Sequence, residues 1–263
     1  SLEKSTLGNT PNKNVLVLSG SLLENQACAA VIDSSHFSSD RISVSLEGVS
    51  LRNFISNLFG NLDNVSGPSR CKVYFDKVPD LEHFCRSFKV PFLFPTNLKV
   101  PKILEELFPV HKSKLRFGEY TRTRSNAVVD ASFDLIDQND AKFVALIECK
   151  NRKDPFSTDD LLYNLEKSFQ FCNEEKLPKC RVHFSICKNT ANFKRSYKTD
   201  WRELSSFTEA KLINVYRLSP MEDGFELLPV KLNQTPHKNP EMVSIILNMK
   251  EIGLHFAKLA VSK

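Results

Sequence analysis

The chain lacks most features that would identify it by motif. Its seven cysteines are odd in number and irregularly spaced, with no C-x-x-C pair, which argues against a disulfide framework and a thiolate zinc site. Cys28, Cys71, Cys149 and Cys187 sit among apolar neighbours, where a thiol behaves as a small hydrophobe. A reducing, intracellular compartment is therefore expected, the nucleus included. No apolar run approaches the ~20 residues that span a bilayer, and no signal-peptide pattern is present, so no membrane partner is expected. The chain opens on Ser1 without a methionine, as expected of an excised fragment. Glycine is scarce, eight residues in 263. The short apolar run at 15–20 (VLVLSG) continues as Ser21-Leu22-Leu23, with neither G-x-x-x-x-G-K nor G-x-G-x-x-G, so phosphate-cradling loops of those kinds are excluded. Internal repeats and low-complexity tracts are absent too.

What is present is an ordinary soluble composition, 41% hydrophobic and 25% charged, long enough to bury a substantial core in one large domain or two small ones. The net charge of +5 is mild, so its distribution matters more than its size. Lys112, Lys114, Arg116, Arg122 and Arg124 form one basic group, Lys150, Arg152 and Lys153 a second, and Lys194, Arg195, Lys198 and Arg202 a third. Clustered cations of this kind suit phosphate contact, although any single cluster is also what a solvated face looks like.

The stretch 128–153, VVDASFDLIDQNDAKFVALIECKNRK, carries most of the information. Val129, Ala131, Phe133 and Leu135 alternate with Asp130, Ser132 and Asp134, the period of a strand. Asp137-Gln138-Asn139-Asp140 has turn composition, and residues 143–147 are continuously apolar, as in a strand covered on both faces. A three-residue turn, Gln138 to Asp140, sets Asp137 against Ala141 and Asp130 against Glu148. Cross-strand partners share a face roughly 4.5–5.5 Å apart at Cβ. Two carboxylates at that separation repel unless a cation or proton is shared between them. A two-residue turn would put Asp130 on the wrong face, so an odd-length loop or a bulge is required.

An acid on one strand, a hairpin, and Glu148-Cys149-Lys150 closing the next strand resemble the PD-(D/E)XK nuclease superfamily, and ECKNRK is similar to the third motif of Holliday-junction resolvases. The likeness covers about residues 98–188. The run ECKN with the helix and strand after it bears a fainter likeness to the nuclease-like domains of crinkler and retrotransposon-hot-spot effectors. Val129 stands where the superfamily has proline, which leaves Asp130 and Asp134 both open as the first acid, with geometry favouring Asp130. The resemblance implies a restriction-endonuclease-like α/β fold with a mixed sheet and flanking helices. It also implies Mg²⁺ or Mn²⁺ on Asp130 and Glu148, Lys150 at the reacting phosphate, and Asp134 as an auxiliary acid. Nucleic acid, DNA before RNA, would be the partner, contacted by Arg122, Arg124, Arg152, Lys153 and Gln170. A helix carboxylate near the metal is sought in Glu105 or Glu106, both of which also read as surface acids. The alternative is a nuclease-fold module that has lost catalysis and binds nucleic acid or protein.

Elsewhere the patterns predict strands at 15–19, 42–46, 71–75, 115–121, 181–187, 214–218 and 225–232. Helices are predicted at 22–32, 51–62, 81–88, 102–108, from a cap at Ser157 or Thr158, at 201–212, and at 240–261. The last carries Met242, Ile245, Ile246, Met249 and Ile252 at helical spacing, with a homodimer face as one use. The prolines of VPFLFP at 90–95 mark a boundary between a smaller α/β accessory region, 1–95, and a nuclease-like domain, 96–263. His183, inside a predicted strand, reads as a structural histidine.

Overall fold

A computed structural model describes residues 13–38, 43–58, 72–96, 100–107, 109, 114–123, 129–151, 154–187, 201–222, 224–232 and 235–248. These form six helices and eleven strands. In chain order they are α1 (Lys13–His36), β1 (Val49–Ser50), α2 (Leu51–Leu58), β2 (Lys72–Tyr74), α3 (Pro79–Arg86), β3 (Phe88–Val90), β4 (Phe92–Pro95) and α4 (Val100–Leu107). There follow β5 (Phe117–Arg122), β6 (Ala131–Asp137), β7 (Lys142–Lys150), α5 (Thr158–Glu174), β8 (Cys180–Cys187), α6 (Trp201–Ala210), β9 (Ile213–Pro220), β10 (Gly224–Pro229) and β11 (Met242–Asn248).

All the strands join one curled, mixed sheet in the order β1-β3-β6-β7-β8-β11-β9-β10-β2, while β5 also pairs with β6 and β4 with β5. Its central strands are hydrophobic on both faces because both are covered. One face buries Phe133, Leu135, Ala145, Ile147, Phe184 and Ile245 in a cluster that includes Phe54 and Ile55 of α2 and Ala27 and Val31 of α1. The other buries Val144, Leu146, Val215 and Ile246 with Leu161 and Leu165 of α5 and Leu204 of α6. The α/β class expected from the sequence is present. The sheet does not break at the prolines: β3 pairs with β6, β4 with β5, and β2 with β10, so strands on both sides of Pro95 are hydrogen-bonded together.

Three predicted elements differ. Residues 15–19 continue α1 rather than forming a strand. A run of five apolar and small residues fits either state, and Gly20 inside a helix costs only about 1 kcal/mol. Residues 43–46 contribute one isolated bridge, Phe37 to Val44, in place of a strand. The chain then turns through Gly48 at φ +79, where a Cβ would lie 2.7 Å from the Val90 carbonyl oxygen; only glycine fits both constraints.

The largest difference is at the C-terminal end, where the segment predicted as a helix from 240 begins with β11, a strand parallel to both β8 and β9. Met242, Val243, Ile245, Ile246 and Leu247 are each 1% exposed or less. A strand buried on both faces shows no alternation, so its apolar residues also satisfy helical spacing; Met249 and Ile252 lie outside the described residues. Smaller differences are that α3 stops at Arg86 and Phe88 enters β3, while α2 is described to Leu58.

Candidate active site

The β6–β7 hairpin has the three-residue loop that the expected pairing of the acids called for. Asp137 N–H donates to the Ala141 carbonyl at 3.1 Å, Leu135 faces Phe143, and Ala131 faces Ile147. Gln138, Asn139 and Asp140 make the three-residue loop, closed by Asp140 in the left-handed region at φ +59, the usual third position of such a loop. The Asp137 carboxylate accepts from the N–H groups of Asn139 at 2.8 Å and Ala141 at 2.9 Å, and Arg116 clamps Asp140 through two bonds of 2.8 Å. The regular pairing of the two strands ends at Ala131 and Ile147.

Asp130 lies on a bend just before β6. Its N–H donates to the Ile147 carbonyl at 3.1 Å, and its carboxylate accepts from the Cys149 N–H at 2.5 Å. The bend also corrects the expected alternation. Val129 buries with Val144 and Leu146 on the α5 face, whereas Ala131, Phe133 and Leu135 bury on the opposite face.

On β7, Lys150 Nζ donates to Glu148 Oε1 at 2.5 Å, with side chains 16% and 11% exposed. Burial, and next the negative charge of Asp130, push the Glu148 carboxyl up to about 7, against the opposing pull of Lys150. Asp130 is raised as well, by burial above all and then by Glu24, against the Cys149 N–H, Lys150 and Arg122. The Cys149 thiol, packed against the core on the other side of the strand, is driven well up by burial and by these carboxylates. It is no nucleophile.

The sequence reading missed Glu24, on α1. Its carboxylate accepts from Arg122 Nη2 at 2.6 Å, while Arg122 Nη1 donates to Asn25 Oδ1 at 2.6 Å. Glu24 also contributes to the negative field at Asp130 and Cys149. A helix carboxylate was sought in α4, but there Glu106 is exposed and Glu105 half-buried. The local signal was the acid in LLENQACAAVI, obscured by reading the preceding residues as a strand. Tyr163 of α5 is a second omission: its ring is 6.0 Å from Lys150 Nζ and largely exposed.

Other expected residues are not brought to this pair. Asp134 accepts from the Glu119 N–H at 3.0 Å and lies four residues along the strand from Asp130, roughly 13 Å away. Gln170 is exposed, donating to Glu174 at 2.6 Å and accepting from Lys167 at 3.2 Å, roughly 18 Å along α5 from its start. Arg124, Arg152 and Lys153 lie outside the described residues, as do Lys112, Lys194, Arg195 and Lys198. Lys114, Arg116 and Arg122 each face a carboxylate, those of Glu47, Asp140 and Glu24. His183 is fully buried with Nδ1 3.3 Å from Ser244 Oγ. Burial first, then the charge of Lys150, lowers it to about 3, so it is a neutral structural histidine.

Among the described residues, no group of three or more His, Cys, Asp or Glu side chains is arranged to hold a metal ion. Asp130 and Glu148 nonetheless offer hard oxygen donors at a point where each resists ionisation. That suits Mg²⁺, which uses one or two carboxylates and completes its shell with water and substrate oxygens. No helix of the described residues is long and apolar enough to cross a membrane. Comparison of the chain with protein-family models, with curated proteins and with solved structures finds no match.

Proposed function

We propose that this protein is a Mg²⁺- or Mn²⁺-dependent nuclease of the PD-(D/E)XK type, hydrolysing phosphodiester bonds in nucleic acid, DNA before RNA. The observation that carries this reading is the end of the β6–β7 hairpin: the half-buried Asp130 accepts from the Cys149 N–H, its charge raises the proton affinity of the buried Glu148, and Lys150 closes on Glu148. The charge of Asp130 raises the proton affinity of Glu148, and a divalent cation between the two would lower that energy. The order of elements supports the reading as well. A helix carrying Glu24 precedes β5, β6 and β7, which run antiparallel in turn, and α5 then leads to β8, parallel to β7.

A divalent ion held by Asp130 and Glu148 would polarise the scissile phosphate and acidify a bound water. The chain's own groups do the rest. Asp130, on the bend before β6, is oriented by the Cys149 N–H, and Glu148 is buried near the end of β7. Lys150 exchanges its bond to Glu148 for one to a phosphate oxygen, so that its charge meets the charge that develops in the transition state. Arg122 and Arg124, with Arg152 and Lys153 just after Lys150 in sequence, would contact flanking phosphates, and Arg122 must then loosen its hold on Glu24. Six free cysteines among the described residues accord with a reducing compartment, and a homodimer is compatible with this assignment.

A second reading is favoured by the ion pairs themselves. Lys150 closes on Glu148 and Arg122 on Glu24, as in a nuclease fold that binds nucleic acid without cutting it. Supercoiled plasmid with Mg²⁺ or Mn²⁺ separates the two. Wild type is expected to nick it, and Glu148→Ala and Lys150→Ala to be slower by about 100-fold or more. Binding without cleavage in all three would establish the second reading, and equal cleavage by all three would eliminate this site.

A further inference from the structure

At the hairpin end of β7, roughly 17 Å along the strand from Glu148, α3, the β6–β7 turn and residues 238–240 line an open cavity of about 300 Å³. That is the lower end of the range for small-molecule sites, roughly 300–1,000 Å³. Arg181 forms its charged wall. The guanidinium lies 5.2 Å from the ring centre of Phe88, 5.3 Å from Phe143 and 6.0 Å from Phe84. Nη1 donates to the Glu241 carbonyl at 2.8 Å and its carboxylate at 3.1 Å. Nε is buried without a partner, and Nη2 has no acceptor among the described residues.

The local charge balance is positive. The Glu241 carboxylate serves Lys179 as well as Arg181. Lys238 and His83 reach the same cavity, and the carboxylate among its lining residues belongs to Asp137. Its Oδ1 accepts from two backbone N–H groups of its own turn, and its single negative charge stands against the positive charges of Arg181 and Lys238. Rings around a guanidinium strip water from it, so an anion at its open edge interacts more strongly than it would in bulk solvent. Phe84 and Phe88 supply an apolar wall beside that edge.

We propose that this cavity is a binding site for a small oxyanion joined to an apolar or aromatic group. Arg181 and Lys238 hold the anion, and Phe84 and Phe88 pack against the apolar part. The site is independent of the nuclease assignment, because none of its residues touches the Asp130–Glu148 pair.

The test is calorimetric titration of the full chain with phenyl phosphate, benzoate and inorganic phosphate. Phenyl phosphate and benzoate probe the two forms of oxyanion on a common ring. Wild type is expected to bind at least one aryl anion with a Kd below about 1 mM, more tightly than inorganic phosphate. Arg181→Met should weaken it about tenfold or more and Lys238→Ala about threefold, with Glu148→Gln unchanged. If Arg181→Met does not fold, Lys238→Glu on the exposed segment carries the test through charge reversal. No binding by wild type up to about 10 mM, equal affinity in the Arg181 or Lys238 variants, or inorganic phosphate binding as tightly as the aryl anions would each overturn the proposal.

Discussion

At the scale of single residues, the acids of the candidate site make a prediction about protons that needs no substrate. Glu148 has its folded value near 7 against an ordinary 4.5, so between those values the native state holds a proton that the unfolded chain has lost. Stability contributed by this group therefore falls as pH rises through that window. His183 works the other way. Its folded value near 3 lies below an ordinary 6.5, so protonation favours the unfolded chain and stability rises with pH across that interval. The two terms overlap, and only a difference between variants isolates one of them. In EDTA, thermal melts of wild type and Glu148→Gln from pH 5 to pH 8 should diverge, with the Gln variant gaining relative to wild type as pH rises. Mg²⁺ or Mn²⁺ at the upper pH should recover the wild type and leave the variant where it was. Parallel curves in EDTA would mean that the folded protein does not raise the Glu148 carboxyl above its ordinary value.

At the scale of elements, α5 and β11 show what local pattern can and cannot specify. The N-terminus of α5 is a capping box: Ser157 Oγ accepts from the Asp160 N–H at 3.2 Å, and Asp160 accepts from the Ser157 N–H at 3.0 Å. Ser157→Ala should cost about 1 kcal/mol in urea denaturation, with no change in the slope. This cap was legible in the sequence, as was the three-residue β6–β7 turn, because each depends on contacts within four residues. Counting outward from the turn predicted that Asp130 faces Glu148; the strand pairing ends at Ala131 and Ile147, and Asp130 sits on a bend with its N–H on the Ile147 carbonyl. β11 was not legible, because a strand lined by β8 and β9 and buried on both faces has no alternation to read. Its identity is set by strands that come earlier in the chain. Nor could Glu24 be found, since its place beside Asp130 depends on how α1 packs, and Asp134 was given a role that its bond to the Glu119 N–H does not support. Ile245, fully buried in β11, offers a check: Ile245→Ala should cost about 2–5 kcal/mol by the same denaturation, far more than an exposed helical position would.

At the scale of the whole molecule, the question is whether residues 96–263 can stand without the segment before them. The sequence places a boundary at the prolines, but the hydrogen bonding crosses it at three places: Phe88 and Lys89 pair with Asp137 and Ile136, Phe92 to Pro95 with Phe117 to Tyr120, and Lys72 to Tyr74 with Gly224 to Glu226. Removing the first 95 residues would expose edges of β5, β6 and β10, the kind of unpaired backbone that drives aggregation. It would also strip Phe54, Ile55, Leu81 and Phe84 from the core that backs Phe133, Ile147 and Phe184. Burial of each such side chain is worth about 1.5–3 kcal/mol, and a domain has only about 5–15 kcal/mol in hand. Residues 96–263 expressed alone should therefore give no cooperative melt and no near-ultraviolet dichroism, whereas the full chain gives both. A cooperative transition in the shorter chain, with Glu148 retaining its shifted titration, would show that the first segment is a detachable accessory rather than a wall of the same core.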